Sequence, residues 1–140
     1  MEITLVYVSS ATHLMAESEL IDLLRTCRDN NAKAGITGML LYKDGNFMQA
    51  IEGPEDAVTH LHRKILADPR HKGLITLVRE PINTRQFGDW SMAFRNVDLL
   101  SETEREAYSE FLNEPFTEES FGSNPNKALK LLIAFKKNAR

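Results

Sequence analysis

Two polar residues stand where the surrounding pattern asks for apolar ones. Ile3, Leu5 and Tyr7 share one face of an alternating segment, and Phe47, Gln49 and Ile51 share one face of another. A carboxamide can donate and accept hydrogen bonds at once, and a phenol does the same through one oxygen. A buried amide without partners costs about 1–3 kcal/mol, so something must satisfy Gln49. On spacing alone, Tyr7 and Gln49 satisfy each other or the backbone. Asn30-Asn31 closes a helical stretch, where asparagine tolerates left-handed backbone, bonds locally and, in isolation, is a simple cap. Lys64 and Asp68 are spaced i, i+4, with His71 just beyond; by default they form a solvated charged face. Trp90 and Met92 alternate with Ser91 and Ala93 and, taken alone, are core residues that reach the side of Phe94.

Other chemistries find no support in the residues. His60 and His62 are two apart on a helix and diverge, and a single cysteine, Cys27, leaves no zinc-ligand spacing. There is no Walker loop, GxGxxG run or serine nucleophile elbow. The 140 residues, 42% hydrophobic and 26% charged, suit one compact domain. A net charge of −3 and a pI near 5.8 give no electrostatic reason to expect nucleic acid or an anionic membrane as a partner. The lone cysteine fits a reducing compartment, and no apolar run is long enough to span a bilayer. The N-terminus enters a strand pattern at once, without the marks of a signal peptide. A soluble, cytoplasmic protein is expected.

The elements that must position these residues follow from periodicity. Ile3 to Ser9 reads as a strand and Glu17 to Asn31 as a helix with the apolar stripe Leu20, Ile21, Leu23, Leu24 and Cys27. Ile36–Tyr42 and Phe47–Glu52 read as a hairpin around Asp44-Gly45. Gly53-Pro54 opens a second helix through Val58, Leu61 and Ile65, which Pro69 ends. Leu74–Glu80 and Trp90–Val97 read as two more strands. The order β-α-β-β-α-β-β predicts an α+β, ferredoxin-like sandwich, with a five-stranded sheet and both helices on one face. Residues 98–140, with the amphipathic run Leu129, Leu132, Ile133 and Phe135, would supply helices for the other face.

In combination the motifs are specific. Gly35-Ile36-Thr37-Gly38-Met39-Leu40-Leu41-Tyr42 followed by Gly45-Asn46-Phe47-Met48-Gln49-Ala50-Ile51-Glu52-Gly53 closely resembles the centre of BLUF domains, which sense blue light with flavin. So do Tyr7-Val8-Ser9, Asn30-Asn31, Asp68-Pro69-Arg70-His71 and Asp89-Trp90-Ser91-Met92, in unbroken order over residues 1–97.

The resemblance implies a photosensory domain at 1–97 and a capping or output extension at 98–140, without enzymatic activity. It implies a non-covalent flavin, FAD with FMN possible, between the two helices. Asn30 and Asn31 would meet the polar edge of the ring, Lys64, Asp68 and His71 would lie on the other flank, and Leu24 and Phe47 would make apolar contacts. Lys64 stands where many relatives carry arginine, and it lacks arginine's planar fork. Tyr7 would supply an electron and then a proton, Gln49 would rearrange by rotation or tautomerisation, and Trp90 and Met92 would relay the change outward. A small red shift in absorption would result. The signal would pass to a separate partner protein or through a homo-oligomer. The same scaffold admits rivals. An RNA-binding module lacks its basic, aromatic strand motif here. An acylphosphatase-like enzyme lacks its phosphate loop. A small-metabolite regulatory domain is the alternative, but it leaves the joint presence of Tyr7, Asn31, Gln49, Trp90 and Met92 without a reason.

Overall fold

A computed structural model of the chain describes residues 1–88, 91–107, 116–117, 121 and 124–135. The elements are β1 (Glu2–Ala11), α1 (Glu17–Ala34), β2 (Thr37–Lys43), β3 (Asn46–Pro54), α2 (Glu55–Ala67), β4 (His71–Ile82) and β5 (Ala93–Asn96). A 3-10 turn (Val97–Leu99), α3 (Glu102–Ala107) and α4 (Pro125–Phe135) follow. The sheet order is β4-β1-β3-β2-β5, antiparallel except for the parallel pair β2 and β5. This is the ferredoxin-like α+β sandwich that the element order predicts, extended by a fifth strand.

Local chemistry explains the joints. Asp44 and Gly45 both adopt positive φ, 50° and 79°, which closes the β2–β3 hairpin as a tight turn. Helix α1 runs three residues past Asn31 and ends at Gly35, whose left-handed φ of 70° suits a residue without Cβ. Pro54 is the last residue of β3 and caps α2 rather than lying inside its first turn. Strand β4 is longer than its apolar stretch suggests, because edge pairing with β1 continues through exposed polar residues. Strand β5 begins at Ala93, and Trp90 lies outside the described residues.

Both faces of the sheet are buried. Ile3, Leu5, Tyr7, Leu40, Phe47 and Ile51 project toward α1 and α2, where they meet Leu20, Leu24 and Val58. Val6, Val8, Met39, Leu41, Met48 and Ala50 project to the back face, under Phe87, Phe116, Phe121 and the α4 residues Ala128, Leu131, Leu132 and Phe135. Among the described residues, no helix is long and apolar enough to cross a membrane.

Candidate functional site

Strand register lays the floor of the site. Tyr7 on β1 lies opposite Gln49 on β3, Gln49 lies opposite Leu40 on β2, and Leu40 lies opposite Phe94 on β5. Residues so paired project from one face. Tyr7 and Gln49 are both buried, and the Tyr7 hydroxyl donates to Gln49 Oε1. Gln49 Nε2 donates in turn to Met92 Sδ at 3.4 Å. The amide is thus held at its oxygen by a phenol and at its nitrogen by a thioether, a weak acceptor.

Over this floor opens a cavity of about 220 Å³ between the two helices. Helix α1 lines it with Leu23, Thr26, Cys27, Asn30 and Asn31, and α2 with Leu61, Lys64 and Ile65. Asp68, Arg70 and His71 close the end beyond α2, and Leu40 and Phe47 join Tyr7 and Gln49 below. The structure therefore brings together Tyr7, Asn30, Asn31, Phe47, Gln49, Lys64, Asp68 and His71. Met92 reaches the group through Gln49. Leu24 does not line the cavity. It faces the core beside Leu20, and its neighbour Leu23 lines the wall instead. Ile21, read into the same α1 stripe as Leu24, is 47% exposed. The sequence reads Leu23, Cys27, Leu61 and Ile65 as core stripes and Leu40 and Arg70 only as parts of motifs, yet all six line the cavity, together with Thr26, which it does not single out. The spacing, 23-26-27-30 on α1 and 61-64-65-68 along α2 into its cap, is a helical stripe of mixed polarity, whose apolar members a search for apolar faces assigns to the core.

The electrostatics separate a neutral floor from a charged rim. Burial pushes the Tyr7 phenol far above its ordinary range, with the Cys27 thiol and the Asp68 carboxylate adding to the effect. Burial likewise raises the Cys27 thiol. At the rim, Arg70 Nε donates to both Asp68 oxygens at 3.0 Å, and the Arg70 backbone N–H donates to the same carboxylate at 2.9 Å. These bonds, led by the Arg70 side chain, hold the Asp68 carboxyl below its usual value. Asn31 is 2% exposed and gives its Nδ2 to the Ser91 carbonyl at 3.0 Å, leaving Oδ1 as an acceptor. His71 lines the cavity with Nε2 on the Ile65 carbonyl, and its Nδ1 is shut from solvent without a partner among the described residues. Apolar walls, an amide rim and an unfilled imidazole nitrogen fit a flat heteroaromatic ring with one polar edge, as in a flavin.

The family of sensors of blue light using FAD, the BLUF family, matches residues 3–93. The chain belongs to the BLUF family. Among relatives, the beta subunit of a photoactivated adenylate cyclase from Euglena longa is 39% identical over 99 residues, 70% of this chain and 12% of that protein. The chain thus spans about an eighth of that relative's length. The dark-state structure of BlrB, a BLUF protein, is 32% identical with a TM-score of 0.79, covering 98% of this chain and 96% of that one. A bacterial light-regulated adenylyl cyclase is 33% identical with a TM-score of 0.76, covering 81% of this chain and 33% of that one. This BLUF domain is accordingly a blue-light photoreceptor module that uses flavin.

The raised Tyr7 phenol has a thermodynamic consequence for the BLUF fold. The native state keeps the Tyr7 proton at pH values where the unfolded chain releases it, near pH 10 and above. The associated stability is complete below the unfolded value and is lost as pH rises past it. The slope approaches about −1.4 kcal/mol per pH unit for this one group. Urea unfolding between pH 9 and 11 should show this loss, and Tyr7→Phe should flatten it relative to the unmodified protein. Parallel curves for the two proteins would contradict a buried, neutral Tyr7.

Proposed function

We propose that light is converted to a signal by rearrangement of the Gln49 amide between Tyr7 and Met92, on the floor of the helix-bounded cavity. The observation that supports this is the continuous contact from the Tyr7 hydroxyl to Gln49 Oε1 and from Gln49 Nε2 to Met92 Sδ. A bound flavin supplies absorption of blue light and an acceptor that takes up and returns an electron. Tyr7 is the donor on the floor of the cavity. Loss of an electron from its ring makes the hydroxyl proton strongly acidic, and Gln49 Oε1 is the atom poised to receive it. Rotation or tautomerisation of the amide then exchanges its bonds to the phenol and the thioether. Leu23, Leu61 and Ile65 keep water from the ring site, Asn30 and Asn31 orient its polar edge, and Lys64, Asp68, Arg70 and His71 hold its far flank.

The cofactor in this reading is FAD, with FMN possible. A second cleft, lined by Ala34, Ile36, Asp56, Ala57 and His60, shares Asn30, Asn31, Leu61 and Lys64 with the first. It offers a phosphate-bearing tail a path between the helices, past the Lys64 ammonium. Because the ground state is restored, no substrate is consumed, and the chain works as a sensor rather than an enzyme. Residues 1–97 form the photosensory unit and the extension 98–140 carries the output, with Phe116, Phe121 and α4 covering the back face of the sheet. The receiver is a separate protein or a second copy of the chain. The chain matches a part of proteins named as adenylyl cyclases, 12% of one and 33% of another.

The test is an absorption spectrum of purified protein in darkness and again after blue light. A flavin spectrum with a reversible red shift is expected. A flavin spectrum that does not shift would remove the switch, and failure to take up flavin would return the metabolite-binding reading.

A further inference from the structure

Met92 is an insecure group on which to rest a switch. Its side chain turns about three bonds and its sulfur accepts hydrogen bonds weakly, yet that sulfur lies 3.4 Å from the Gln49 amide nitrogen. The backbone that carries it must therefore be fixed by other groups. On the helix side, Arg28 Nε donates to the Met92 carbonyl at 2.8 Å, one turn before Asn31 holds the Ser91 carbonyl. On the opposite face of the sheet, Glu52 is 1% exposed. Its two carboxylate oxygens accept the backbone N–H groups of Gln86 and Phe87, each at 2.8 Å. The Phe87 ring is fully buried in the back-face core, which fixes that end further. Bonds from backbone N–H to a carboxylate are among the stronger hydrogen bonds. Glu52 stands three residues from Gln49 on the same strand, so strand β3 holds both the rearranging amide and the anchor of the segment that touches it.

We propose that Arg28 and Glu52 are positioning residues of the light switch. From opposite faces they fasten the β4–β5 connection so that the Met92 sulfur is held against the Gln49 amide. Neither lines the cavity, so both act through Met92. The proposal rests on Gln49 being the group that rearranges. An amide that turns must release and regain a sulfur whose backbone cannot follow it, and this raises the barrier to return. Loosening either anchor lets the sulfur move with the amide and lowers that barrier.

The experiment measures thermal return from the red-shifted state in the full chain with its flavin. Glu52→Gln and Arg28→Lys are each made in the native protein and in a Met92→Leu background. Glu52→Gln keeps the shape of the side chain but replaces one accepting oxygen with a donor, and Arg28→Lys keeps the charge but removes Nε. Each single variant should return at least about threefold faster, and each should lie within about 1.5-fold of Met92→Leu alone when combined with it. Equal acceleration in both backgrounds would overturn the proposal. So would a lower unfolding midpoint with an unchanged return rate, the mark of a merely structural anchor. Arg28→Lys carries the test by itself if Glu52→Gln does not fold. Absence of any red shift in the unmodified protein would instead overturn the reading of Gln49 beneath it.

Discussion

A Tyr7→Phe variant should purify with flavin and lose the long-lived red-shifted state by at least about 100-fold, the scale on which removal of a positioned proton donor acts. The phenyl ring keeps its place opposite Gln49, so the walls of the cavity are unchanged. What is lost is the hydroxyl on Gln49 Oε1. Leaving that buried acceptor without its donor costs about 1–3 kcal/mol, which a domain of ordinary stability survives. Tyr42→Phe is the matched control. Tyr42 is buried on the same face at 3% exposure, but its oxygen accepts the Met15 backbone N–H at 3.0 Å and does not line the cavity. Its loss should cost stability of the same order and leave the light response intact. A normal red shift in Tyr7→Phe, measured by difference absorption after blue light, would remove Tyr7 from the mechanism. Loss of the shift in both variants would attribute it to general loosening of the helix-side core.

The contrast between these two tyrosines shows which parts of the site a sequence can disclose. Alternation assigns Tyr7 and Gln49 to buried faces of their strands, and the hairpin signal at Asp44-Gly45 fixes the neighbouring pair. It does not give the register of β1 against β3, and that register is what sets Tyr7 opposite Gln49, 42 residues away. Leu23 and Leu24 belong to one apolar stripe in the sequence, and naming Leu24 as the ring contact differs from the structure for a related reason. The most apolar stripe of α1 packs into the core through Leu20 and Leu24. The cavity wall lies on an adjacent stripe of leucine, threonine, cysteine and asparagine, half polar because it meets a group with a polar edge. Arg70 sits within a motif whose resemblance was legible, yet its bidentate hold on Asp68 depends on the chain turning after Pro69. Glu52 is legible as the end of a strand and as part of the motif around Gln49, but not as an anchor. That its carboxylate is buried beneath the β4–β5 connection follows from the path of that connection, which no local pattern encodes.

Phe135→Ala should cost about 3–5 kcal/mol in unfolding free energy, the usual range for emptying a buried phenylalanine site. Phe135 is fully buried at the end of α4, against a back face formed by Val6, Val8, Met39, Leu41, Met48 and Ala50. A domain of ordinary stability has roughly 5–15 kcal/mol in total, so a single truncation here removes a large share of it. Leu99→Ala supplies the comparison: Leu99 is 62% exposed, and its truncation should stay within about 0.5 kcal/mol. The flavin spectrum in darkness should be preserved in Phe135→Ala, because the cavity opens on the other face of the sheet. The Arg95 guanidinium lies over the Phe135 ring, 5.9 Å from its centroid, and pairs with Glu104 on α3, so strand β5 is tied to α3 and α4. Met92 directly precedes that strand. If residues 98–140 carry output as well as cover, Phe135→Ala should also erase light-dependent changes in amide exchange along α4 while the red shift persists. A red shift that vanishes together with the α4 changes would instead tie the photochemistry to the cap. Loss of less than about 1 kcal/mol would mean that α4 does not cover the sheet in solution. The two faces are therefore separable by experiment, since one side chain can be removed from the cap without touching any residue that lines the light-sensing cavity.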